Sequence, residues 1–207
     1  MKKLLLLGAL LCGLCSCGQG DKGNGNIHEG HEWVDLGLPS GLKWATCNVE
    51  AACPEESGRY YAWGEIRAKS NYDEYNSESV GKSLNNIAGD INYDVARGRW
   101  GGNWRLPTVE EFNELCFNCI CVSGVQNGQY GYKFTSMKNG NSIFLPASGY
   151  RQGYGAHADG THGFYWSSTP DRKNADLAYV LEVKVESMGT NSKSRYHGCS
   201  IRPVFED

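Results

Sequence analysis

The sequence predicts an α+β domain in which a helix-poor, mixed but mostly antiparallel sheet carries one or two helices and long loops, and three observations lead there. Short apolar runs separated by turn residues recur along the chain. Only the stretch 108–117 holds a complete helix-start signal. The C-terminal "CSIRPVFE" has the strand character needed to pair with a strand near the start of the domain. Composition agrees, with 27 glycines, 12 tyrosines and 6 tryptophans against 3 methionines, the profile of a loop- and strand-rich module.

The elements follow in order. "EWVDLGL" and "LKWATCNV" alternate as strands about a Pro39-Ser40-Gly41 turn, and "RYYAWGE" reads as a third. Residues 66–99 are polar and lack a sustained period, so they read as loop, with one short helix in "VGKSLNNIAG". Thr108 is an N-cap with Glu111 three residues on, and Pro107 blocks an earlier start. A helix is therefore predicted over 109–117, with Phe112 and Leu115 on its buried stripe. "YKFTSMKNGNSIFLPAS" predicts a hairpin, because Asn139-Gly140 accepts the positive φ of a tight turn. The glycine-rich 149–163 reads as a long loop before the strand "FYWSST". In "LAYVLEVKVE", Leu181, Val183 and Val185 alternate with Glu182, Lys184 and Glu186, giving one buried and one wet face.

The N-terminus predicts an address. Lys2 and Lys3 precede an apolar run from Leu4 to Leu14, too short for a permanent span, so residues 1–16 read as a signal peptide. Its end, Leu14-Cys15-Ser16-Cys17, resembles a bacterial lipobox, which makes Cys17 the lipidated mature N-terminus and lipid the contact with a membrane. The expected location is the outer membrane, at the cell surface or the periplasmic face. Residues 17–32 are glycine-rich with little to bury, hence a flexible tether. Within it His28 and His31 stand three apart, where a helical zinc motif needs four. Residues 33–207 remain as one domain.

Six cysteines follow the tether: Cys47, Cys53, Cys116, Cys119, Cys121 and Cys199. In an oxidising compartment they read as disulfides or buried thiols, their pairing left open. Cys116, Cys119 and Cys121 have chelator spacing but no motif for a fourth ligand. His197 and Cys199 lie two apart, as a base and nucleophile on one strand face would, without a third orienting residue. His157, Asp159 and His162 share a glycine-rich loop that does not fix the outer shell a metal site needs. No metal or cofactor is expected. A formal net charge of −3 without a basic cluster argues against nucleic acid as a partner.

Six blocks, "EWVDLGLPSGLKWATCNV", "YYAWGE", "GGNWRLPTVEEFNEL", "NSIFLPASGYR", "GFYWSST" and "GCSIRPV", in this order resemble the Fibrobacter succinogenes major paralogous domain of Bacteroidetes lipoproteins. The resemblance covers nearly all of the chain from Trp33. It implies a C-type lectin-like fold, shared more distantly with formylglycine-generating enzymes and with the variable ligand-binding proteins of diversity-generating retroelements. Those enzymes bind copper through two cysteines near the C-terminus, and Cys199 stands alone here, so no oxidase is implied. Trp166 is followed by Ser167 and Ser168, not by the asparagine and aspartate of calcium-dependent lectins, so calcium-mediated sugar binding is not implied either. In "GGNWRLPT", Trp104 and Arg105 are expected to pack the helix start against the sheet.

The sequence thus points to a non-catalytic binding module that recognises glycan or protein from a lipid tether. The alternatives are a structural or assembly component of the envelope and, further off, a formylglycine-generating-type enzyme. In the retroelement-diversified relatives the recognition positions fall between the "YWSS"-like block and the terminal "RPV", which is Pro170 to Ser200 here. Candidate ligand-binding residues are the flat rings of Tyr150, Tyr154 and Tyr196 and the donors of Arg151, Arg172, Asn174, Asn191 and Arg195. Arg202 is expected to be buried beside Trp166, stacking on it and donating to loop carbonyls.

Overall fold

The computed structural model describes residues 26–207. The signal segment with Cys12 and Cys15, the lipidation residue Cys17 and the first part of the tether lie outside the described residues. Among the described residues no helix is long and apolar enough to cross a membrane.

The architecture is α+β, with two helices and mostly antiparallel sheets. Strands β1 (Asn26–His28), β2 (His31–Asp35), β3 (Lys43–Ala45) and β12 (Val204–Phe205) form one sheet in the order β1-β2-β3-β12. Val204 pairs with Trp44, so the start and end of the domain close on each other as the sequence predicts. A second sheet orders β11 (Ser187–Ser194), β10 (Leu177–Lys184) and β9 (Gly163–Pro170), and a third orders β4 (Cys119–Gln126), β5 (Gln129–Ser136) and β6 (Ser142–Pro146). A small hairpin of β7 (Tyr150–Gln152) and β8 (Gly155–His157) stands apart from these. Parallel pairing enters only as single bridges, Gly149 with Gly163 and Tyr165 with Ser200.

Helix α2 (Val109–Asn118) forms where its signals lie. The Thr108 side chain accepts from the Glu111 N–H while the Glu111 carboxylate accepts from the Thr108 N–H, closing the capping box, and Phe112 and Leu115 are buried. Arg105 grips Glu111 with two bonds of 2.7 and 2.8 Å and pairs by its backbone with Val204. Trp104 is fully buried against Phe205. The "GGNWRLPT" stretch therefore rivets the helix start to the C-terminal strand.

Five expectations need correction. The predicted helix in "VGKSLNNIAG" is absent, and helix α1 (Val95–Trp100) forms instead, because the buried Asp94 carboxylate caps it through Ala96 and Arg97 while also accepting from Gly89 and Leu106. "RYYAWGE" is not a strand. It makes one bridge, Tyr61 with Cys199, and is held by two indoles: Trp166 donates to the Tyr61 carbonyl and Trp63 to the Ser167 carbonyl, both at 2.8 Å. "CSIRPVFE" shrinks to two strand residues, since Gly198, Cys199 and Ser200 each bridge a different segment. The polar "GTNSKSRYHG" reads as a loop in sequence, yet its "GTNSKS" belongs to strand β11, paired along its whole length with β10. Residues 26–32, read as tether, form the β1–β2 hairpin over a Glu29-Gly30 turn with positive φ at both residues. Its histidines supply the missing apolar area: His28 stacks on Phe205 with ring centroids 4.2 Å apart and His31 on Trp100 at 3.7 Å.

Arg202 is fully buried, but it does not stack on Trp166. Its guanidinium donates to Asn48 and to the carbonyls of Ala45, Thr46 and Phe144, tying three segments together. The six cysteines, read as disulfides or buried thiols, are free thiols in this structure, Cys119 and Cys199 buried and the other four partly so. Burial pushes the thiols of Cys116 and Cys199 up to about 12, which leaves each a poor nucleophile near neutrality.

Candidate functional site

Three distant segments meet around the β7–β8 hairpin. Tyr72 and Gly153 exchange backbone hydrogen bonds of 2.9 and 2.7 Å, and Arg151 and Gly198 exchange another pair of 2.8 and 2.9 Å. Gly198 is required at this junction, because a Cβ there would lie 2.7 Å from the Tyr72 ring. The β7–β8 hairpin is thereby fixed by both its neighbours, and its tip carries Tyr154, 83 % exposed. Beside it opens a cleft of about 350 Å³ walled by Arg59, Tyr60, Lys69, Tyr72, Arg151 and Tyr154.

The walls are held from behind. Tyr60 donates to the Ser148 carbonyl at 2.6 Å, and Tyr72 donates to the Tyr60 carbonyl at 2.6 Å. The Arg151 guanidinium lies 3.8 Å over the Tyr60 ring while Nη1 donates to Asp159 at 2.8 Å. Burial raises the phenol pKa of both Tyr60 and Tyr72, so both remain neutral donors.

A second cluster adjoins the first through Tyr150. Its ring stacks on His157 at 5.1 Å, meets His197 edge-on at 5.1 Å, and receives the Lys193 ammonium 3.3 Å from its centre. Tyr196 lies 4.5 Å from His197 on the other side. Neither ring nitrogen of His197 has a hydrogen-bond partner among the described residues. Burial, then the charges of Lys193 and His157, push its pKa down to about 4. The folded state thus binds fewer protons than the unfolded chain between pH 4 and the ordinary histidine pKa of 6.5. Stability from this group is complete above pH 6.5 and is lost as pH falls towards 4. Melting temperature is expected to drop across that window, and His197→Phe to flatten the drop; an equally steep decline in the variant would assign it to other groups.

The structure divides the eight sequence-predicted residues. Tyr150 and Tyr196 flank His197, and Arg151 and Tyr154 line the aromatic cleft. Arg172 belongs to a separate cleft of about 620 Å³, with Lys82, Asn85, Glu110 and Asp171. Asn174 is spent on the turn that accepts from the Asp176 and Leu177 N–H groups. Asn191 sits exposed on β11 and donates to Glu182 at 2.6 Å. Arg195 lines the same cleft as Arg172 but from beneath, as a buried and not a surface donor. It is 1 % exposed, stacks 4.3 Å over Trp63, and gives Nε and Nη1 to the carbonyls of Leu177, Ser79 and Lys82. The segment 79–82 folds over it, which a polar stretch of sequence does not announce.

Among the described residues no group of three or more His, Cys, Asp or Glu is arranged to hold a metal ion. Asp159 is engaged by Arg151, His162 stacks on Phe164, and His157 stacks on Tyr150. Sequence reasoning missed Arg59, Tyr60 and Tyr72. The first two directly precede the buried Tyr61 in "GRYYAW", and an arginine beside a tyrosine was the available signal.

Residues 126–204 are similar to a family described as a domain of unknown function (DUF8237), a span that takes in β5 to β11 and the cluster of Tyr150, His157, Lys193 and His197, but not Tyr60 and Tyr72 of the cleft. No curated protein and no solved structure matches the chain.

Proposed function

We propose that this chain is a non-catalytic recognition module, a C-type lectin-like domain of the Fibrobacter succinogenes major paralogous type, carried on the outer membrane by lipid on Cys17 and binding a glycan or protein ligand. The observation that supports it most is the aromatic cleft. Exposed Tyr154 faces a recess of about 350 Å³ whose walls include the pinned Tyr60, Tyr72 and Arg151. Pockets of this size suit small ligands or the tip of a larger one. Tyrosine and arginine on rigid supports are the usual anchors of recognition, since their contact area costs little conformational entropy.

A glycan array followed by pull-down from envelope proteins tests the reading. Tyr154→Ala is expected to keep the wild-type melting temperature, because the ring is mostly in solvent, and to lose about 2 kcal/mol of affinity for the ligand so found. A folded variant with unchanged affinity would place recognition elsewhere. For the anchor, Cys17→Ala is expected to release the protein from the membrane fraction and abolish incorporation of labelled palmitate. Continued membrane association of that variant would contradict a lipid anchor at Cys17.

A further inference from the structure

We propose that the aromatic cleft selects a terminal acidic saccharide unit, its carboxylate on Arg151 and its ring on Tyr154. The inference rests on the glycan form of the recognition reading and narrows it. The cleft lining contributes Arg59, Lys69 and Arg151 and no carboxylate side chain. These cations are not equally available. Lys69 is committed to Glu65 at 2.7 Å and to the Asn76 carbonyl at 2.9 Å, so it closes the wall. Arg59 is exposed and only loosely associated with Glu50, its Nε 3.5 Å away.

Arg151 is different. Its Nη1 serves Asp159 and the Tyr150 carbonyl, while Nε and Nη2 make no hydrogen bond among the described residues. Those two nitrogens form the parallel fork that matches the two oxygens of a carboxylate. Stacking on Tyr60 and the bond to Asp159 hold the guanidinium plane in place, so little entropy remains to be lost on binding. Tyr154, on the hairpin tip fixed by the Tyr72–Gly153 pair, offers the flat face on which a sugar ring lies.

The neighbouring surface limits what can enter. A second cleft of about 360 Å³ shares Gly58 and Arg59 with the first and is lined by Glu50, Glu55 and Glu56. Like charges repel an anion from that side. An extended polyanion crossing both clefts would therefore meet three carboxylates, whereas a chain end with one acidic group stays at Arg151. This favours a terminus over an internal repeat.

The test is an array carrying glycans with terminal uronic or sialic acid beside the same glycans after carboxyl reduction, probed with the full-length lipidated protein in detergent micelles. Acidic termini are expected to bind about tenfold more tightly than their reduced counterparts, the scale of one charge-assisted fork. The preference is expected to shrink with added salt. Arg151→Gln is expected to erase the preference, so that acidic glycans and their reduced counterparts bind that variant equally. Arg151→Lys, which keeps charge but not the fork, is expected to restore only part of it. Equal binding of acidic and reduced forms, or binding of neutral glycans alone, would overturn the acidic selectivity and leave glycan recognition standing. Absence of binding to every glycan on the array would overturn both.

Discussion

Arg202→Ala is expected to lower unfolding free energy by about 3–5 kcal/mol, measured by urea denaturation. The side chain is fully buried and donates to Asn48 and to the carbonyls of Ala45, Thr46 and Phe144 over distances of 2.6–3.1 Å. Burial depresses the guanidinium pKa, yet arginine stays charged in proteins, so the native state holds a desolvated cation stabilised by those oxygens. Alanine would leave three carbonyls and an amide oxygen without a donor inside the core, and each stranded acceptor costs about 1–3 kcal/mol before relaxation. A cavity of guanidinium shape adds to the loss. Lysine would recover charge but not the planar fork that reaches three segments at once, so Arg202→Lys is expected to recover less than half of the deficit. An unchanged denaturation midpoint for Arg202→Ala would mean that these bonds do not form in solution.

Gly58→Ala is expected to cost about 2–4 kcal/mol, by the same measurement. Gly58 has φ of +66°, and a Cβ on it would stand 2.2 Å from the Val49 carbonyl oxygen. Neither side can yield easily. The Arg59 N–H donates to that same Val49 oxygen, and the Ser57 carbonyl accepts from Asn48 and from Ser200. Left-handed strain and overpacking therefore act on one residue together. Because Gly58 is common to the aromatic and the acidic cleft, the substitution is expected to perturb both. A variant as stable as wild type would show that the 57–59 segment takes another path.

What could be read from the sequence was what is decided locally. Thr108 and Glu111 cap each other within one turn, Asn139-Gly140 makes its own hairpin, and Leu181 and Val183 alternate with charges, so α2, the β5–β6 hairpin and β10 were legible. Helix α1 was not, because the carboxylate that starts it is secured by amides at Gly89 and Leu106, beyond any short window. Strand β11 was hidden by being an edge strand of serine, glycine and asparagine, whose pairing is dictated by β10. The candidate site shows the same division. Arg151 and Tyr154 stood out as an arginine and an aromatic in a glycine-rich loop. Tyr60 and Tyr72 join them through contacts far apart in sequence, the Tyr60–Ser148 hydrogen bond and the Tyr72–Gly153 bridge. Arg195 misled for the converse reason, since its cover comes from residues more than a hundred positions away.

The pairing of β3 with β12 also governs when the protein can become itself. Trp44 has its ladder partner at Val204, and the Ala45 amide bonds to the Pro203 carbonyl. That sheet cannot close until β12, far along the chain from β3, has been synthesised and released, and closing so large a loop is slow compared with forming any hairpin inside it. An emerging chain therefore stays open until then, with Ala45, Trp104 and Phe205 unable to bury one another. Such a molecule depends on the two residues of β12 for assembly out of proportion to their number, and it remains vulnerable to proteolysis and to partner chains until they arrive.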